Sequence, residues 1–180
     1  MKEILRSGLF KNIEQNKIKS IFNEINYSIN EYDDNEVIAH EEDECNKLGL
    51  ILEGNIELQR IFYNGNYIVL KKLTFGDVFG EALIFVKNSH YPATVISSGK
   101  SKILFIDKQE VIRLCLKEEK ILENFLGLLS EKVLLLNNKV KSISYNSIRG
   151  KVINYILEES KRQKKDTIIL SGTKEDISAY

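Results

Sequence analysis

Gly76-Asp77-Val78-Phe79-Gly80-Glu81 is the stretch of this sequence that decides the fold. Its two glycines suit a tight turn, because glycine adopts backbone conformations that other residues reach only with strain. The stretch follows several short segments rich in β-branched and aromatic residues, a composition typical of strands. It is therefore predicted to be a turn that closes a run of strands.

Turn signals recur between Ser28 and Ile106 and divide this part of the chain into short predicted strands. They are Asp33-Asp34-Asn35, Glu53-Gly54-Asn55, Asn64-Gly65-Asn66, Phe75-Gly76-Asp77, Lys87-Asn88-Ser89 and Ser98-Gly99-Lys100. Asn64-Gly65 lies between two apolar segments and is the strongest hairpin signal. Many short strands with regular turns predict an antiparallel sandwich or barrel.

Helical periodicity flanks the predicted strands on both sides. Before them, apolar residues recur at steps of three and four, which predicts one or two short helices. These residues are Leu9, Phe10, Ile13, Ile18, Ile21, Phe22 and Ile25. After the strands, Asp107 is a predicted N-cap, and Glu110 three residues later would complete a capping box. A later helix is predicted from Ser147 to about Lys164, followed by a short strand at residues 167–170.

A heptad pattern marks the helix predicted between these two. Its apolar residues alternate steps of four and three: Leu122, Leu126, Leu129, Val133, Leu136, Val140 and Ile143. Such a seam buries a continuous apolar stripe against a second helix. We therefore predict a homodimer that pairs through these residues, with packing inside one subunit as the alternative.

Composition excludes several classes of function. The 180 residues carry 26 Lys and Arg against 26 Asp and Glu, so the net charge is zero and does not suggest a basic nucleic-acid-binding surface. Two cysteines, Cys45 and Cys115, and two histidines, His40 and His90, are too few to build a zinc or iron–sulfur site. Haem binding through His40 or His90 is not favoured, and neither is a redox role for Cys45. No catalytic motif or metal cluster is present, so we expect no enzyme, no cofactor and no metal. No apolar run reaches the roughly 20 residues that span a bilayer, and no signal peptide opens the chain, so a cytoplasmic protein without membrane contact is expected.

In this order, the parts resemble the Crp/Fnr family of bacterial transcription regulators. The matching stretches are Leu50-Ile51-Leu52-Glu53-Gly54-Asn55-Ile56-Glu57-Leu58, then Gly65, then the Gly76–Glu81 turn. The resemblance implies an α+β fold. It consists of an antiparallel β jelly-roll of the cyclic-nucleotide-binding-domain type at 1–116, a long dimerisation helix at 117–145, and part of a winged helix-turn-helix DNA-binding domain at 146–180.

The resemblance also implies how DNA would be contacted. Thr173 and Lys174 match the opening of the first helix of the helix-turn-helix, where Lys174 would touch a phosphate. In this family the second helix enters the major groove. The sequence ends before that helix, so we interpret the DNA-binding domain as truncated.

This sequence retains only some of the ligand-binding residues that the resemblance implies. Gly80 and Glu81 match the glycine and glutamate that approach the sugar in nucleotide-binding members. The phosphate-binding arginine and the hydroxyl residue after it fall on Tyr91 and Pro92. A buried phosphodiester needs charge-assisted donors, whereas Tyr91 offers one neutral hydroxyl and Pro92 has no backbone N–H. Cyclic AMP is therefore not expected to bind, unless a shifted register places His90 or Lys87 at the phosphate.

The predicted pocket is correspondingly more apolar than a nucleotide site. The polar pair that reaches the adenine in the family falls on Leu136 and Asn137, and Leu136 cannot hydrogen-bond a base edge. The full set of predicted pocket residues is Gly80, Glu81, Ala82, Tyr91, Pro92, Ala93, Leu136 and Asn137. We expect a regulator that binds DNA as a homodimer and responds to an unknown small-molecule effector. The alternative is an interaction or scaffold protein that uses the same sandwich without binding DNA.

Overall fold

The fold is an antiparallel β-sandwich with helices on both sides of it in the chain. The computed structural model describes residues 4–143, 148–163 and 167. Short 3-10 helices at Ile4–Arg6 and Gly8–Phe10 precede α1 at Gln15–Phe22. The strands are β1 Tyr27–Tyr32, β2 Val37–Ala39, β3 Lys47–Ile61, β4 Tyr67–Thr74, β5 Val78–Phe79 and β6 Thr94–Asp107. The later helices are α2 Lys108–Lys117, α3 Glu119–Ile143 and α4 Ile148–Gln163.

All strand pairings are antiparallel, which confirms the predicted strand class. The main path runs β1-β6-β3-β4, while β2 pairs with β6 and β5 pairs with β3. The predicted hairpin forms between β3 and β4, and Gly65 adopts a φ of 80° in its loop. Asn64 Oδ1 accepts from the Asn66 N–H at 3.0 Å, so the Asn-Gly signal sits in a loop of residues 62–66.

The two longest strands pass through positions that the sequence predicts as turns. β3 continues through Gly54 and β6 through Gly99, where the pairing between the strands shifts register. Both glycines have a φ near 80°, and a β-carbon on Gly54 would lie 2.2 Å from the Lys100 carbonyl oxygen. The prediction of separate short strands is wrong here, because glycine lets each strand bend and continue.

Both faces of the centre of the sheet are covered. Five consecutive residues of β3, at 48–52, are buried, which a strand with one solvent face would not show. Tyr27 lies opposite Ile106 and therefore shares its face, where the Phe22 ring of α1 packs edge-on against the Tyr27 ring. Phe105 lies on the opposite face, where it packs edge-on against Phe79. The helices thus cover one face, and the Gly76–Glu81 turn covers the other.

The start of α2 corrects a predicted capping box. The helix does begin after Asp107, but the Asp107 side chain makes no capping hydrogen bond and lies 3.6 Å from Lys47 Nζ. Glu110 is buried, and its Oε1 accepts from Asn26 Nδ2 at 3.4 Å and from Arg113 Nη1 at 3.1 Å. Both carboxylates therefore interact with other side chains and do not form the predicted capping box.

The chain divides into two compact units, residues 1–129 and 130–180. The predicted long helix is confirmed as α3, and the predicted later helix as α4. Thr173, Lys174 and all but the first residue of the strand predicted at 167–170 lie outside the described residues. The domain boundaries predicted after residues 116 and 145 stay predictions. Among the described helices, none is long and apolar enough to cross a membrane.

Candidate functional site

The Gly76–Glu81 turn is anchored on β3 by backbone hydrogen bonds. The Gly76 N–H donates to the Ile51 carbonyl at 2.9 Å, and the Ile51 N–H donates to the Asp77 carbonyl at 3.0 Å. Asp77 Oδ2 accepts from the Thr74 N–H at 2.9 Å, which holds the entry to the turn. Gly76 and Gly80 have φ values of 86° and 80°, so both positions favour glycine. The predicted turn is confirmed, and its aspartate has a structural role.

Close packing fixes the turn against the start of β3. A β-carbon on Gly49 would lie 2.2 Å from the Phe79 ring, so only glycine leaves room for that ring. A β-carbon on Gly80 would lie 2.7 Å from the Lys47 carbonyl oxygen and 3.2 Å from Cys45 Sγ. The second half of the turn therefore rests directly on residues 45–49.

The segment around Tyr91 pairs with an acidic stretch of the chain. The Tyr91 N–H donates to the Asp43 carbonyl at 2.9 Å, and the Glu42 N–H donates to the Tyr91 carbonyl at 2.9 Å. Ser89 Oγ donates to the Leu83 carbonyl at 2.7 Å, so this segment also holds the chain that follows the turn. The position that the family resemblance assigns to a phosphate-binding arginine is thus fixed beside residues 42–45.

Tyr91, Cys45 and Glu81 form a buried cluster under the turn. Tyr91 is 8% exposed, Glu81 6% and Cys45 4%. Burial raises the pKa of the Tyr91 phenol, and its hydrogen bond with the Cys45 side chain raises that pKa further. Burial also raises the pKa of the Cys45 thiol, and the charge of Glu81 adds a smaller upward contribution. The phenol and the thiol are therefore both neutral near pH 7, and neither supplies positive charge.

Nearby cations are engaged elsewhere and do not replace the missing arginine. Lys47 lies 3.6 Å from Asp107. Arg60 of β3 lies 3.7 Å from Glu41, and its Nη2 donates to the Pro92 carbonyl at 3.3 Å. A phosphodiester placed here would face the buried carboxylate of Glu81, and within the described part of the chain neither Lys47 nor Arg60 is free to serve as its charge-assisted donor, which is unfavourable.

The other predicted pocket residues are placed differently from one another. Ala93 is buried, whereas Ala82 and Pro92 are exposed. His90 and Lys87, the alternative phosphate contacts, are exposed as well. The structure thus brings together Gly80, Glu81 and Tyr91 of the predicted set, and the role of the whole set in ligand binding stays a prediction.

Leu136 and Asn137, the remaining predicted pocket residues, belong to the unit at 130–180. Both side chains are exposed. Their predicted contact with a ligand stays a prediction.

Sequence analysis missed the position of Cys45. Cys45 lies 46 residues from Tyr91 in the chain, and no local pattern indicates that the two side chains meet. Residues 43–45 pair with residues 89–91 in a short antiparallel bridge, and this pairing brings Cys45 and Tyr91 together. A strand pairing predicted at this position would have been needed to find the contact.

An aromatic contact links the chain after the turn to the long helix. Phe85 packs edge-on against Phe125 of α3, with ring centroids 5.8 Å apart and an interplanar angle of 82°. Lys108 Nζ lies 5.6 Å from the centre of the Phe85 ring. Because Phe125 is buried in a closely packed core, a displacement of the segment 80–86 would change the packing around α3.

Most of the predicted dimer seam is exposed on α3. The exposed seam residues are Leu122, Leu126, Val133, Leu136 and Val140. Leu129 is partly buried against the core, and Ile143 is the last residue of the helix. Exposed large apolar side chains at heptad spacing are typical of a helix that pairs with another, and the pairing of this seam in a dimer stays a prediction.

Comparison with known proteins places the fold. The sequence model of the cyclic nucleotide-binding domain matches residues 29–118. A sequence search of curated proteins found no match. The catabolite activator protein of Thermus thermophilus is similar in structure, with a TM-score of 0.68 and 20% identity over 87% of this chain and 72% of that chain.

Two further solved structures have the same fold. A cyclic nucleotide-binding domain from Methylobacillus flagellatus KT has a TM-score of 0.65 and 15% identity, over 81% of this chain and 85% of that chain. The sensor domain of the transcriptional regulator DNR from Pseudomonas aeruginosa has a TM-score of 0.61 and 15% identity, over 81% of this chain and 94% of that chain. The family match at residues 29–118 covers half of the sequence, and the chain belongs to the cyclic nucleotide-binding domain family.

Proposed function

We propose that this chain is the sensor part of a homodimeric bacterial transcription regulator of Crp/Fnr type. In this proposal the protein is cytoplasmic, has no enzymatic activity and responds to a small molecule other than cyclic AMP. DNA binding would require a recognition helix in addition to the helix opening at Thr173 and Lys174. Two of the similar structures are named as an activator protein and a transcriptional regulator, which supports this assignment.

The observation that carries the proposal is the exposed heptad seam on α3, the long helix that follows the sandwich and α2 in the chain. Leu136 and Val140 are 60% and 66% exposed in the single chain. Exposing a row of large apolar side chains to water is unfavourable, so a partner surface that covers them would stabilise the protein. Burying such a stripe against its own copy provides a two-fold dimer, which suits DNA half-sites related by the same symmetry.

The buried cluster supports an effector other than a cyclic nucleotide. Tyr91 stands at the arginine position, is 8% exposed and lies beside the Cys45 side chain, which raises the pKa of its phenol. A phosphate entering the site would meet the neutral Tyr91 phenol where the family has an arginine, and would lie near the carboxylate of Glu81. Removing one member of a buried charge pair typically costs about 3–5 kcal/mol, which corresponds to a loss of several orders of magnitude in affinity.

We propose that signalling is a population shift transmitted through the Phe85–Phe125 contact. An effector that prefers one position of the segment 80–86 would shift the equilibrium between two arrangements of that segment relative to Phe125. Because Phe125 lies on the helix that carries the seam, the paired DNA-binding parts would be reoriented. The ligand must bind the two states with different affinity for this to occur.

The test is DNA binding by the gene product extended beyond Tyr180. Selection from random duplexes, with and without a panel of metabolites, should yield a two-fold symmetric sequence whose binding depends on one metabolite. An extended protein that selects no sequence under any condition would contradict the regulator assignment and favour the interaction or scaffold alternative. A stop codon directly after Tyr180 would favour that alternative too.

A further inference from the structure

A cleft opens beside β1, on the face of the sheet that carries Phe105; of the buried cluster under the Gly76–Glu81 turn, Tyr91 is the residue that also lines it. Its aromatic walls are Tyr32, Tyr91 and Phe105, and its charged lining residues are Asp43, Glu44 and Lys47. We call it the β1 cleft. Its volume is about 260 Å³. That is just below the roughly 300–1,000 Å³ of sites for drug-sized ligands, so a small molecule is the appropriate occupant.

The register of the sheet places Tyr32 and Phe105 on the same face, near opposite ends of β1. Ser28 lies opposite Phe105 and Tyr32 opposite Ser101, so the side chains of Ser28, Tyr32 and Phe105 point to one face of the sheet. The bridge between residues 43–45 and 89–91 brings Tyr91 to the same face. Asn30 Nδ2 donates to the Tyr32 hydroxyl at 3.4 Å, which helps to hold that ring in place.

The charge of the β1 cleft is negative. Lys47 is its one lysine or arginine among the lining residues described, and it lies 3.6 Å from Asp107, which is outside the cleft. Asp43 and Glu44 contribute two carboxylates. Asp43 Oδ2 accepts from the His40 N–H at 2.7 Å, which fixes that carboxylate at the rim. Tyr91 stays neutral because burial raises the pKa of its phenol.

We propose that the β1 cleft binds a small organic cation, an ammonium or guanidinium group on a short apolar body. The faces of aromatic rings attract such cations through the ring quadrupole, and carboxylates at the rim add Coulomb attraction. An anion would meet the two carboxylates, and a neutral apolar molecule would gain nothing from them. A divalent metal ion is a poorer candidate, because the described residues contain no group of three or more ligating side chains that could hold one.

This proposal goes beyond the regulator assignment and stands on binding alone, so its test needs no DNA. Choline and its uncharged isostere 3,3-dimethylbutan-1-ol have nearly the same shape and differ in charge. Calorimetric titration of the 180-residue protein should give a millimolar or tighter dissociation constant for choline. The uncharged isostere should bind more weakly by at least about fivefold, the size of a cation–π contribution.

Variants locate the binding in this cleft. Tyr32→Leu should weaken choline binding by about fivefold or more, whereas Tyr32→Phe keeps the ring face and should bind as the wild type does. Glu44→Gln should weaken binding about threefold, while Glu42→Gln, in the same acidic stretch but outside the lining, should leave it unchanged. Circular dichroism would verify that each variant is folded.

Three results would overturn the proposal. They are equal affinity for choline and its uncharged isostere, no choline binding at millimolar concentration, and binding that survives both Tyr32→Leu and Glu44→Gln in folded proteins. None of these results bears on whether the extended protein recognises DNA, so failure here and failure of the regulator assignment are distinguishable.

Discussion

Phe85 and Phe125 meet edge to face, with ring centroids 5.8 Å apart. Phe85 belongs to the segment that follows the Gly76–Glu81 turn, and Phe125 to the helix that carries the apolar seam. Pairs of this geometry contribute about 0.5–1.5 kcal/mol beyond the area they bury. The contact therefore joins the candidate ligand site to the candidate dimer helix with a measurable energy.

A double-mutant cycle would measure that energy. Phe125→Ala should reduce the free energy of unfolding by about 3–5 kcal/mol because the side chain is buried, while Phe85→Ala, at an exposed residue, should cost less. The double variant should differ from the sum of the two by about 0.5–1.5 kcal/mol in urea unfolding. Additive effects would show that the rings are not coupled.

Glycine substitutions test the packing of the turn. Gly49→Ala should reduce the free energy of unfolding by about 1–3 kcal/mol, because its new methyl group would overlap the Phe79 ring. Gly127→Ala is the matched control. Nothing lies within 4 Å of its new methyl group in helix α3, so it should stabilise the protein by about 0.5–1 kcal/mol. Equal effects of the two changes in thermal unfolding would disprove the close approach of Phe79 to Gly49.

The seam predicts a dimer, and introducing negative charges into its apolar surface should dissociate that dimer. Leu126→Glu together with Leu136→Glu should give a monomer, because two charges would be buried without partners in the interface. Leu116→Glu, at a more exposed leucine off the seam, should stay dimeric. Light scattering distinguishes the species, and a wild-type protein that is monomeric at high concentration would refute the seam assignment.

Alkaline unfolding tests the buried phenol. The pKa of Tyr91 is higher in the folded state than its ordinary value near 10, because of burial first and the contact with Cys45 second. The folded state therefore holds this proton more tightly, and the resulting stability is present below pH 10 and lost as the pH rises above it. The urea midpoint should fall above about pH 10, and less steeply in Tyr91→Phe.

A part of that fall should remain in the Tyr91→Phe variant. Burial raises the pKa of Cys45 and Cys115 above the ordinary thiol value, so both contribute a loss of stability with the same sign from about pH 9. Identical pH profiles for the variant and the wild type would contradict the buried state of the Tyr91 phenol.

The sequence patterns that predicted the fold correctly are local ones. The Asn64-Gly65 hairpin and the glycine-flanked turn each need a few adjacent residues with particular backbone conformations, so their residue types reveal them. The heptad seam is visible for the same reason, since one helix carries the whole pattern. The turns predicted at Gly54 and Gly99 are wrong as strand ends, because a glycine with positive φ can bend a strand as well as end it.

The parts of the site that could not be predicted depend on pairing between distant segments. Glu110 contacts Arg113 on the same helix and Asn26, which is 84 residues away, and does not complete the capping box that the local pattern predicts. The pairing of residues 43–45 with 89–91 brings Cys45 next to Tyr91, and the register of β1 with β6 places Tyr32 and Phe105 on one face of the sheet, where both line the β1 cleft. The sequence alone shows that Tyr91 replaces the phosphate-binding arginine, but it does not show that Tyr91 belongs to a buried neutral cluster.

The central claim is that a neutral tyrosine occupies the phosphate position of a cyclic nucleotide-binding domain. The most direct test is calorimetric titration of the 180-residue protein with cyclic AMP and cyclic GMP. The account predicts no binding tighter than millimolar for either nucleotide. A micromolar dissociation constant would contradict it.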